Sequence, residues 1–338
     1  MKAIFLIRTG TPEKAFEIRE ALIPVAKDNE VLIRAEGFGL NFADIVAREG
    51  MYRDAPPRPS ILGYDVVGNI VSCGNKVEKL KPGDRVAALT RFGGYAEYAV
   101  TDANAAVKIP DSMSVASASA LATQCCTAYY CAFTAANLRQ GERVIIHAAS
   151  GGVGSALLQL AKYKKCEIIA TTSSSSKIDL LKQHGANYVV NTSEKGFYQA
   201  IKKITLGDGV DVIFDALGGR FVKQGIKLLS PGGRIVCYGA SQMTGVNLFS
   251  RIKTAFPFGF YHPAQFMMTS KSLIGVNMLQ IADKRAGIIQ DCLSEVIKLF
   301  GEGILIPSEG KIFKAEDIAS AHRYLQEKKA TGKVALQW

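Results

Sequence analysis

The segment at residues 144–162 constrains the fold of this 338-residue chain more than any other feature. It begins with the apolar run Val-Ile-Ile, passes through a turn that reads Ala-Ser-Gly-Gly-Val-Gly, and continues as an apolar helix pattern. Gly151 lets bare backbone approach a pyrophosphate, and Gly154 lets the helix pack closely on the strand. The helix N-terminus adds free N–H groups and a positive dipole end. We therefore predict a dinucleotide-binding turn, with these candidate cofactor contacts: Ser150, Gly151, Gly152, Val153 and Gly154.

The residues that follow must support this interpretation, because Ala149 stands where the common Gly-x-Gly-x-x-Gly pattern has its first glycine. Short apolar runs predict strands at residues 167–172, 188–191, 211–215 and 234–239, and residues 177–184 predict a helix. Alternation of this kind is typical of a parallel, doubly wound sheet. A glycine turn without a ligand is the alternative, and the whole arrangement disfavours it.

Composition narrows the class of protein. The length is typical of about two domains. The net charge is +11, but the lysines and arginines are spread along the sequence rather than gathered in runs. We therefore expect no nucleic-acid partner, and the basic balance favours an anionic ligand such as a phosphorylated cofactor.

The cysteines and the hydropathy pattern predict a cytoplasmic protein. The seven cysteines are scattered without a C-x-x-C pair, which is typical of reduced, buried thiols. No apolar stretch is long enough and sufficiently free of charge to span a bilayer, and the sequence begins with a strand pattern rather than a signal-peptide pattern.

The residues before and after the dinucleotide unit have a different pattern of predicted secondary structure. Residues 1–121 are rich in short strand patterns and turns, including strands at 31–35, 66–71 and 85–89. Beyond the unit, the patterns predict a strand at 272–276, helices at 286–300 and 315–326, and a strand at 333–336. We predict a β-rich domain at 1–121, a cofactor domain at 122–265, and a return to the first domain at 266–338.

Five separated motifs then resemble those of one superfamily. They are Gly-Phe-Gly-Leu-Asn-Phe-Ala-Asp at 37–44, Ile-Leu-Gly-Tyr-Asp-Val-Val-Gly at 61–68, Gly-Gly-Tyr-Ala-Glu-Tyr at 93–98, the turn at 148–154, and Gly-Lys-Val at 332–334. In this order they resemble the medium-chain dehydrogenase/reductase superfamily. The chain most resembles its zinc-free quinone oxidoreductases, especially the vesicle amine transport protein-like branch, whose ending matches residues 326–334. The resemblance implies an α/β fold, with a GroES-like β-rich substrate domain and a Rossmann doubly wound parallel-sheet cofactor domain.

The resemblance also bears on zinc. The positions of the catalytic zinc ligands in alcohol dehydrogenases of the superfamily look like Asn41, Tyr64 and Thr123 here, and none of these is a usual zinc ligand. The four-cysteine lobe that binds the structural zinc is absent from the sequence. We predict no zinc, and we expect Asp44 and Asp65 to be isolated acids that form no site. A zinc-dependent alcohol dehydrogenase is the least favoured alternative.

Without a metal to polarise a carbonyl, an electron-poor acceptor is favoured. Quinones and α,β-unsaturated carbonyls fit, because hydride addition leaves a delocalised anion that a few donors stabilise. The resemblance implies that Asn41 and Thr127 lie beside the nicotinamide. Asn41 either donates to the substrate oxygen, holds the cofactor or is a turn residue. Tyr64 is either a proton donor or a wall of the site, and the wall is favoured.

Cofactor choice follows from the end of the second strand of the unit. Sites that prefer NAD place an acid about twenty residues after the glycine turn. Here the sequence reads Thr-Thr-Ser-Ser-Ser-Ser-Lys at 171–177, with no acid before Asp179. The serine hydroxyls and the lysine suit a 2′-phosphate, so we predict NADPH rather than NADH. The same hydroxyls also suit a helix cap, which is compatible with phosphate binding. The further candidate cofactor contacts are Ser173 and Lys177 in this loop, and Asn191 and Gly239 at the carboxyl ends of predicted strands. Lys333 is interpreted equally as a contact on the nicotinamide side or as a solvated lysine.

The aromatic stretch at residues 249–268 is the least conventional part of the sequence. It is interpreted as a pocket wall or a subunit interface in preference to a peripheral membrane contact. His262 within it is interpreted as structural. Relatives imply a homodimer that forms through the cofactor domain. A nucleotide-binding scaffold or membrane-associated protein with little turnover is the alternative to a quinone or enone reductase.

Overall fold

The chain leaves its first structural unit after Cys126 and returns to it at Met278. The structure is a computed structural model that describes residues 1–243 and 259–338. Unit 1 consists of Met1–Cys126, Met278–Gly303 and Pro307–Trp338, and unit 2 consists of Thr127–Asn277 and Ile304–Ile306. The transitions lie five and twelve residues beyond the divisions predicted after residues 121 and 265. Residues 272–275 form the last strand of the unit 2 sheet, so that unit extends past residue 265.

Unit 1 is built on two sheets. The smaller has the order β2-β1-β4, and the larger has the order β15-β16-β3-β5-β6-β8, with β7 also paired to β3. All pairs are antiparallel except β15 with β16. The strands are β1 (Lys2–Leu6), β2 (Phe16–Glu20), β3 (Glu30–Gly39), β4 (Ser60–Ile61), β5 (Asp65–Cys73), β6 (Arg85–Leu89), β7 (Tyr98–Asp102), β8 (Ala106–Lys108), β15 (Glu309–Lys314) and β16 (Lys333–Gln337).

The helices of unit 1 cover these sheets. They are α1 (Pro12–Ala15), α2 (Phe42–Arg48), α3 (Val115–Ala120), a π-helical segment (Leu121–Cys125), α10 (Met278–Lys284), α11 (Ala286–Gly301) and α12 (Ile318–Gln326). One core packs Phe38 of β3 and Leu336 of β16 against Ile318 of α12. β16 is therefore a buried strand, paired between β15 and β3.

Unit 2 is a six-stranded parallel sheet with the order β11-β10-β9-β12-β13-β14. Numbered from β9, this is the strand order 3-2-1-4-5-6 of the dinucleotide-binding fold, and the order reverses between β9 and β12. The inner strands β9, β10 and β12 are buried apolar runs, as parallel strands covered on both faces must be, whereas the edge strand β14 is mostly exposed. Their bounds are β9 (Arg143–Ile146), β10 (Glu167–Thr172), β11 (Tyr188–Asn191), β12 (Val210–Asp215), β13 (Leu229–Cys237) and β14 (Ser272–Gly275). The predicted doubly wound sheet is confirmed.

Two helical segments precede the first strand of unit 2: α4 (Cys126–Tyr129) and a π-helical segment (Tyr130–Ala135). The helices that follow return the chain from the carboxyl ends of the strands to their amino ends: α5 (Gly152–Tyr163), α6 (Ile178–Gln183), α7 (Phe197–Ile204), α8 (Arg220–Leu228) and α9 (Pro263–Thr269). The prediction for residues 249–268 falls partly on residues 244–258, which lie outside the described residues. Among the helices that the structure describes, none is long and apolar enough to cross a bilayer.

Candidate cofactor and catalytic sites

The turn between β9 and α5 has the geometry that the sequence predicts. Ala148 has a left-handed φ of 51°, which is costly for a residue with a side chain. A Cβ on Gly154 would collide with the Ala148 carbonyl and lie 2.8 Å from the Ala149 Cα. Gly151 is less constrained, since a Cβ there would lie 3.3 Å from the Ala148 oxygen. Only glycine at position 154 therefore lets α5 begin this close to the end of β9.

The first turn of α5 offers donors to an anion. Ser155 N–H donates to the Gly151 carbonyl at 2.8 Å. The N–H groups of Gly152, Val153 and Gly154 begin the helix and have no carbonyl one turn earlier to bond. Such groups, with the positive dipole end of a twelve-residue helix, suit a pyrophosphate. Ser150 is half-buried within the turn itself.

A second polar surface lies where β10 and β11 end. Asn191 Nδ2 donates to Ser175 Oγ at 2.9 Å, and the Asn191 side-chain oxygen accepts from Ser193 N–H at 2.9 Å. Ser193 Oγ donates to the Ser173 carbonyl at 2.9 Å. Asn191 therefore holds the serine loop against the end of β11. Burial lowers the pKa of the half-buried Lys177 ammonium that follows the loop.

The remaining predicted residues of unit 2 lie near strand ends or on a helix. Thr127 is on α4. Gly239 follows β13, and a Cβ there would lie 2.8 Å from the Ala216 carbonyl after β12, so these two strand ends approach closely. His147, which the sequence did not single out, ends β9 with Nδ1 2.9 Å from Thr171 Oγ1. Burial lowers the His147 pKa to about 4, so the ring is neutral near pH 7.

Unit 1 contains a buried polar network around Asp65, the first residue of β5. Lys333 Nζ of β16 lies 2.6 Å from Asp65 Oδ2, and both side chains are fully buried. The same oxygen accepts from Asn41 Nδ2 and Thr123 Oγ1, each at 2.7 Å. Asp65 Oδ1 accepts from Gly39 N–H at 2.6 Å. A buried charge pair is tolerated only with such complete hydrogen bonding.

This network corrects two expectations. Asp65 is not an isolated acid, because four donors surround it, and one of them is the buried Lys333 ammonium. Lys333 is not solvated, because its side chain is fully buried in the ion pair. The signal that sequence reasoning missed is an aspartate and a lysine each set within an apolar strand, since charges are almost never fully buried unless paired.

Asn41 retains one donor. Its amide oxygen accepts from Lys333 Nζ at 2.9 Å, and one of its two N–H groups donates to Asp65. Within the part of the chain that the structure describes, the other N–H has no acceptor, and the side chain is 8% exposed. The network therefore fixes the orientation of the amide and leaves one N–H for a ligand.

Tyr64 is packed rather than hydrogen-bonded. Its ring centroid lies 6.0 Å from that of Tyr52 and 5.1 Å from that of Phe92. Its hydroxyl is buried, and no described residue bonds it. Burial raises the Tyr64 pKa above its ordinary value, which makes the phenol a weaker acid. This geometry fits a wall better than a proton donor.

Asp44 is a buried carboxyl beside this network. Its Oδ2 accepts from the Asn41 backbone N–H at 2.8 Å, and its Oδ1 has no partner among the described residues. Burial raises the Asp44 pKa to about 7, and the Asp65 charge adds to the increase, while the Asn41 N–H and Lys333 oppose it. The carboxyl is therefore partly protonated near pH 7.

We expect the stability of the protein to fall with rising pH through Asp44. The unfolded carboxyl ionises near its ordinary value of about 4, whereas the folded one ionises at about 7. Folding therefore retains a proton between these values, and stability is lost as pH rises through them. Asp44→Asn should match the wild type near pH 4 and exceed its unfolding free energy by up to about 4 kcal/mol near pH 8. Urea denaturation across pH checks this, with the exposed Glu78→Gln as control; parallel wild-type and Asp44→Asn profiles would refute it.

Potential metal ligands are scattered over the part of the chain that the structure describes. No group of three His, Cys, Asp or Glu side chains within residues 1–243 and 259–338 has an arrangement that could hold a metal ion. Two of the three positions compared with zinc ligands, Asn41 and Thr123, instead bond the Asp65 carboxylate.

Comparison with known proteins agrees with this architecture. Residues 27–111 match the family described as alcohol dehydrogenase GroES-like domain, and residues 152–296 match the family described as zinc-binding dehydrogenase. The synaptic vesicle membrane protein VAT-1 homolog of Rattus norvegicus is 32% identical over 330 residues, which cover 97% of this chain and 81% of that protein. The quinone oxidoreductase of Homo sapiens is 30% identical over 338 residues, which cover 99% and 97%.

A solved structure extends the similarity to three dimensions. A mycobacterial protein determined in complex with NADPH superposes with a TM-score of 0.87 at 25% identity, and the match covers 100% of both chains. The predicted GroES-like and Rossmann-like parts are both confirmed. The chain belongs to the medium-chain dehydrogenase/reductase superfamily, in the group that holds the quinone oxidoreductases and the VAT-1 homologues.

Proposed function

We propose that this oxidoreductase uses NADPH, without zinc, to transfer hydride to a quinone or an α,β-unsaturated carbonyl compound. The observation that carries the proposal is the polar loop at the end of β10, which presents serine hydroxyls and Lys177 where NAD-preferring proteins present a carboxylate. A relative structure that holds NADPH supports the same choice.

The residues of unit 2 fit each part of this cofactor. The N–H groups of Gly152, Val153 and Gly154 bind the pyrophosphate, with Ser150 and Gly151 in the turn. Ser173 and Lys177 bind the 2′-phosphate, and Asn191 keeps the serine loop in place. Thr127, Gly239 and Asn41 complete the proposed set, and Lys333 acts through Asn41 rather than by direct contact. NADPH, when bound, supplies the hydride.

The network in unit 1 supports an electron-poor acceptor. The Lys333 ammonium is engaged by Asp65 and by the Asn41 amide oxygen, so it is not free to polarise a ketone oxygen. Asn41 donates its remaining N–H to the substrate oxygen, where negative charge develops. Tyr64 forms a wall and excludes water. A delocalised quinol or enolate anion needs no more than such neutral donors.

Lys177→Ala should change cofactor preference. Loss of a charge-assisted bond to the 2′-phosphate should weaken NADPH binding about tenfold and leave NADH binding nearly unchanged. Calorimetric titration of both nucleotides measures this, with the exposed Lys182→Ala as the matched control in the same unit. Equal losses for NADPH and NADH would contradict the assigned role of the serine loop.

The experiment that tests the function is NADPH oxidation, followed by absorbance, against ortho-quinones, para-quinones and enones, with NADH in parallel and a chelator present. We expect chelator-insensitive turnover with NADPH. Turnover that requires added zinc would overturn the proposal.

A second candidate is a nucleotide-binding scaffold with little turnover. It is favoured by the name of the Rattus norvegicus relative, a synaptic vesicle membrane protein. NADPH binding without turnover of any acceptor in the same panel would support it. The seven free thiols support a reducing, cytoplasmic location for either candidate.

The edge strand β14 supports the proposal of a homodimer. It pairs with β13 on one side, and none of the described strands pairs with its other side. Leu273 of this strand is 41% exposed, and Met267 and Met268 nearby are 77% and 82% exposed. Unpaired edges are templates for strand pairing. Leu273→Glu should convert a dimer into a monomer in light scattering, whereas Leu22→Glu, at an exposed site of unit 1, should not; a monomeric wild type would refute the proposal.

A further inference from the structure

The net charge of the protein is concentrated in unit 2. The residues of that unit include 17 lysines and arginines and seven aspartates and glutamates, a net charge of +10 out of +11 for the chain. Unit 1 is nearly neutral by the same count. One phosphorylated cofactor accounts for few of these cations.

Many of the lysines lie at one edge of the sheet. Each helix that connects two parallel strands of unit 2 runs from the carboxyl end of one to the amino end of the next, so the C-termini of α5, α6 and α7 lie at the amino edge, opposite the proposed cofactor site. Exposed lysines stand at these helix ends and define a surface that we name the basic edge: Lys162, Lys165, Lys182, Lys202 and Lys203.

Direct contacts join the parts of the basic edge. The side chain of Lys162 lies against Gly185 in the turn after α6, because a Cβ placed on this glycine would be 3.0 Å from Lys162 Cδ. Gly209, in the loop after α7, accepts from Arg143 Nη1 of β9 at 3.3 Å. The helix ends on both faces of the sheet therefore meet near the start of β9.

The basic edge is not neutralised by the protein. Two carboxylates at the starts of β9 and β10 are bound by arginines: Glu142 lies 2.8 Å from Arg234, and Glu167 lies 2.5 Å from Arg143. Asp208, in the loop after α7, forms no ion pair with any residue that the structure describes. None of the five lysines forms an ion pair with any residue that the structure describes. Helix dipoles favour cations at these positions, but they do not account for the lack of acidic partners on the surface.

An apolar residue projects beside these lysines. Leu206, in the loop after α7, is 87% exposed and has a left-handed φ of 52°. Tyr163, at the end of α5, is 48% exposed. Phosphate groups of a nucleic acid would gain nothing from an exposed leucine, whereas a bilayer offers anionic headgroups to lysines and acyl chains to the leucine.

We infer that the basic edge of unit 2 is a peripheral docking surface for an anionic lipid bilayer, in which the lysines contact headgroup phosphates and Leu206 inserts below them. This surface contains none of the residues of the aromatic stretch at 249–268. It places the proposed cofactor site on the side of unit 2 that faces away from the bilayer.

Vesicle flotation of the full chain tests this docking. Vesicles of phosphatidylcholine alone and of phosphatidylcholine with phosphatidylserine are compared at low and high salt, with duplex DNA as a competing polyanion. The variants are Lys202→Gln/Lys203→Gln and Leu206→Ser. Their matched controls are Lys79→Gln/Lys81→Gln, two exposed lysines of unit 1, and Leu22→Ser, a leucine that is 93% exposed.

We expect salt-sensitive binding to the anionic vesicles only. The Lys202→Gln/Lys203→Gln variant should bind these vesicles about thirtyfold more weakly, at about fivefold for each charge lost. Leu206→Ser should bind them severalfold more weakly, and both control variants should bind like the wild type. Absence of binding to anionic vesicles at low salt would overturn the inference, as would equal losses in the control variants. Preferential binding to DNA that Leu206→Ser leaves unchanged would identify a nucleic-acid surface instead. None of these outcomes depends on reductase activity.

Discussion

Replacing Lys333 with methionine should lower the free energy of unfolding by about 3–5 kcal/mol, because it leaves the Asp65 carboxylate buried without a cation. The ammonium and the carboxylate are both fully buried at 2.6 Å, and Asn41 also loses a hydrogen-bond donor. Urea denaturation can be followed through the single tryptophan of the chain, Trp338, whose ring lies 6.1 Å from that of Phe38 in the same unit.

Two further variants make this result specific. Lys79→Met removes an exposed lysine of unit 1 and should change stability by less than about 0.5 kcal/mol. Asp65→Asn combined with Lys333→Met should cost less than the sum of the single variants, since the double variant buries no unpaired charge. A loss below about 1 kcal/mol for Lys333→Met, or strictly additive losses, would contradict the ion pair as the centre of the network.

Gly154→Ala should abolish tight nucleotide binding while the protein remains folded. The added Cβ collides with the Ala148 carbonyl and lies 2.8 Å from the Ala149 Cα, so the start of α5 must move away from β9. The N–H groups proposed to bind the pyrophosphate move with it. A displacement of about 1 Å at a binding site can cost about a hundredfold, and we expect a loss of NADPH affinity of that order.

The control for this variant is Gly287→Ala in α11, where a Cβ meets no atom within 4 Å. Calorimetric titration with NADPH measures affinity, and circular dichroism confirms the fold. If Gly154→Ala binds NADPH like the wild type, the turn does not hold the pyrophosphate.

Local patterns allowed much of unit 2 to be predicted. The strand, turn and helix of residues 143–163 are contiguous, and each parallel strand is a short apolar run bounded by turns. The predicted strands at 167–172 and 188–191 coincide with β10 and β11. Short strands of unit 1 such as β2, β7 and β8 were not predicted, because they are three to five residues long, and β2 and β8 contain no buried residue that would mark a periodic apolar pattern.

The catalytic candidates show the limit of sequence reasoning. Asn41 was found through resemblance, but its partners Asp65 and Lys333 are far along the sequence, and Lys333 is 268 residues from Asp65. Only the antiparallel pairing of β16 with β3 brings Lys333, the first residue of β16, to the start of β5. No spacing rule encodes such a contact, although an aspartate in an apolar strand implies that a partner exists.

The most direct test of the central claim is transfer of label from NADPH that carries deuterium at the transferable position of the nicotinamide. Metal-free protein, prepared by dialysis against a chelator, is mixed with labelled NADPH and an enone, and the product is analysed by mass spectrometry. We predict deuterium on the carbon β to the carbonyl. An unlabelled product, or a labelled product that forms only after zinc is added, would contradict direct, zinc-independent hydride transfer.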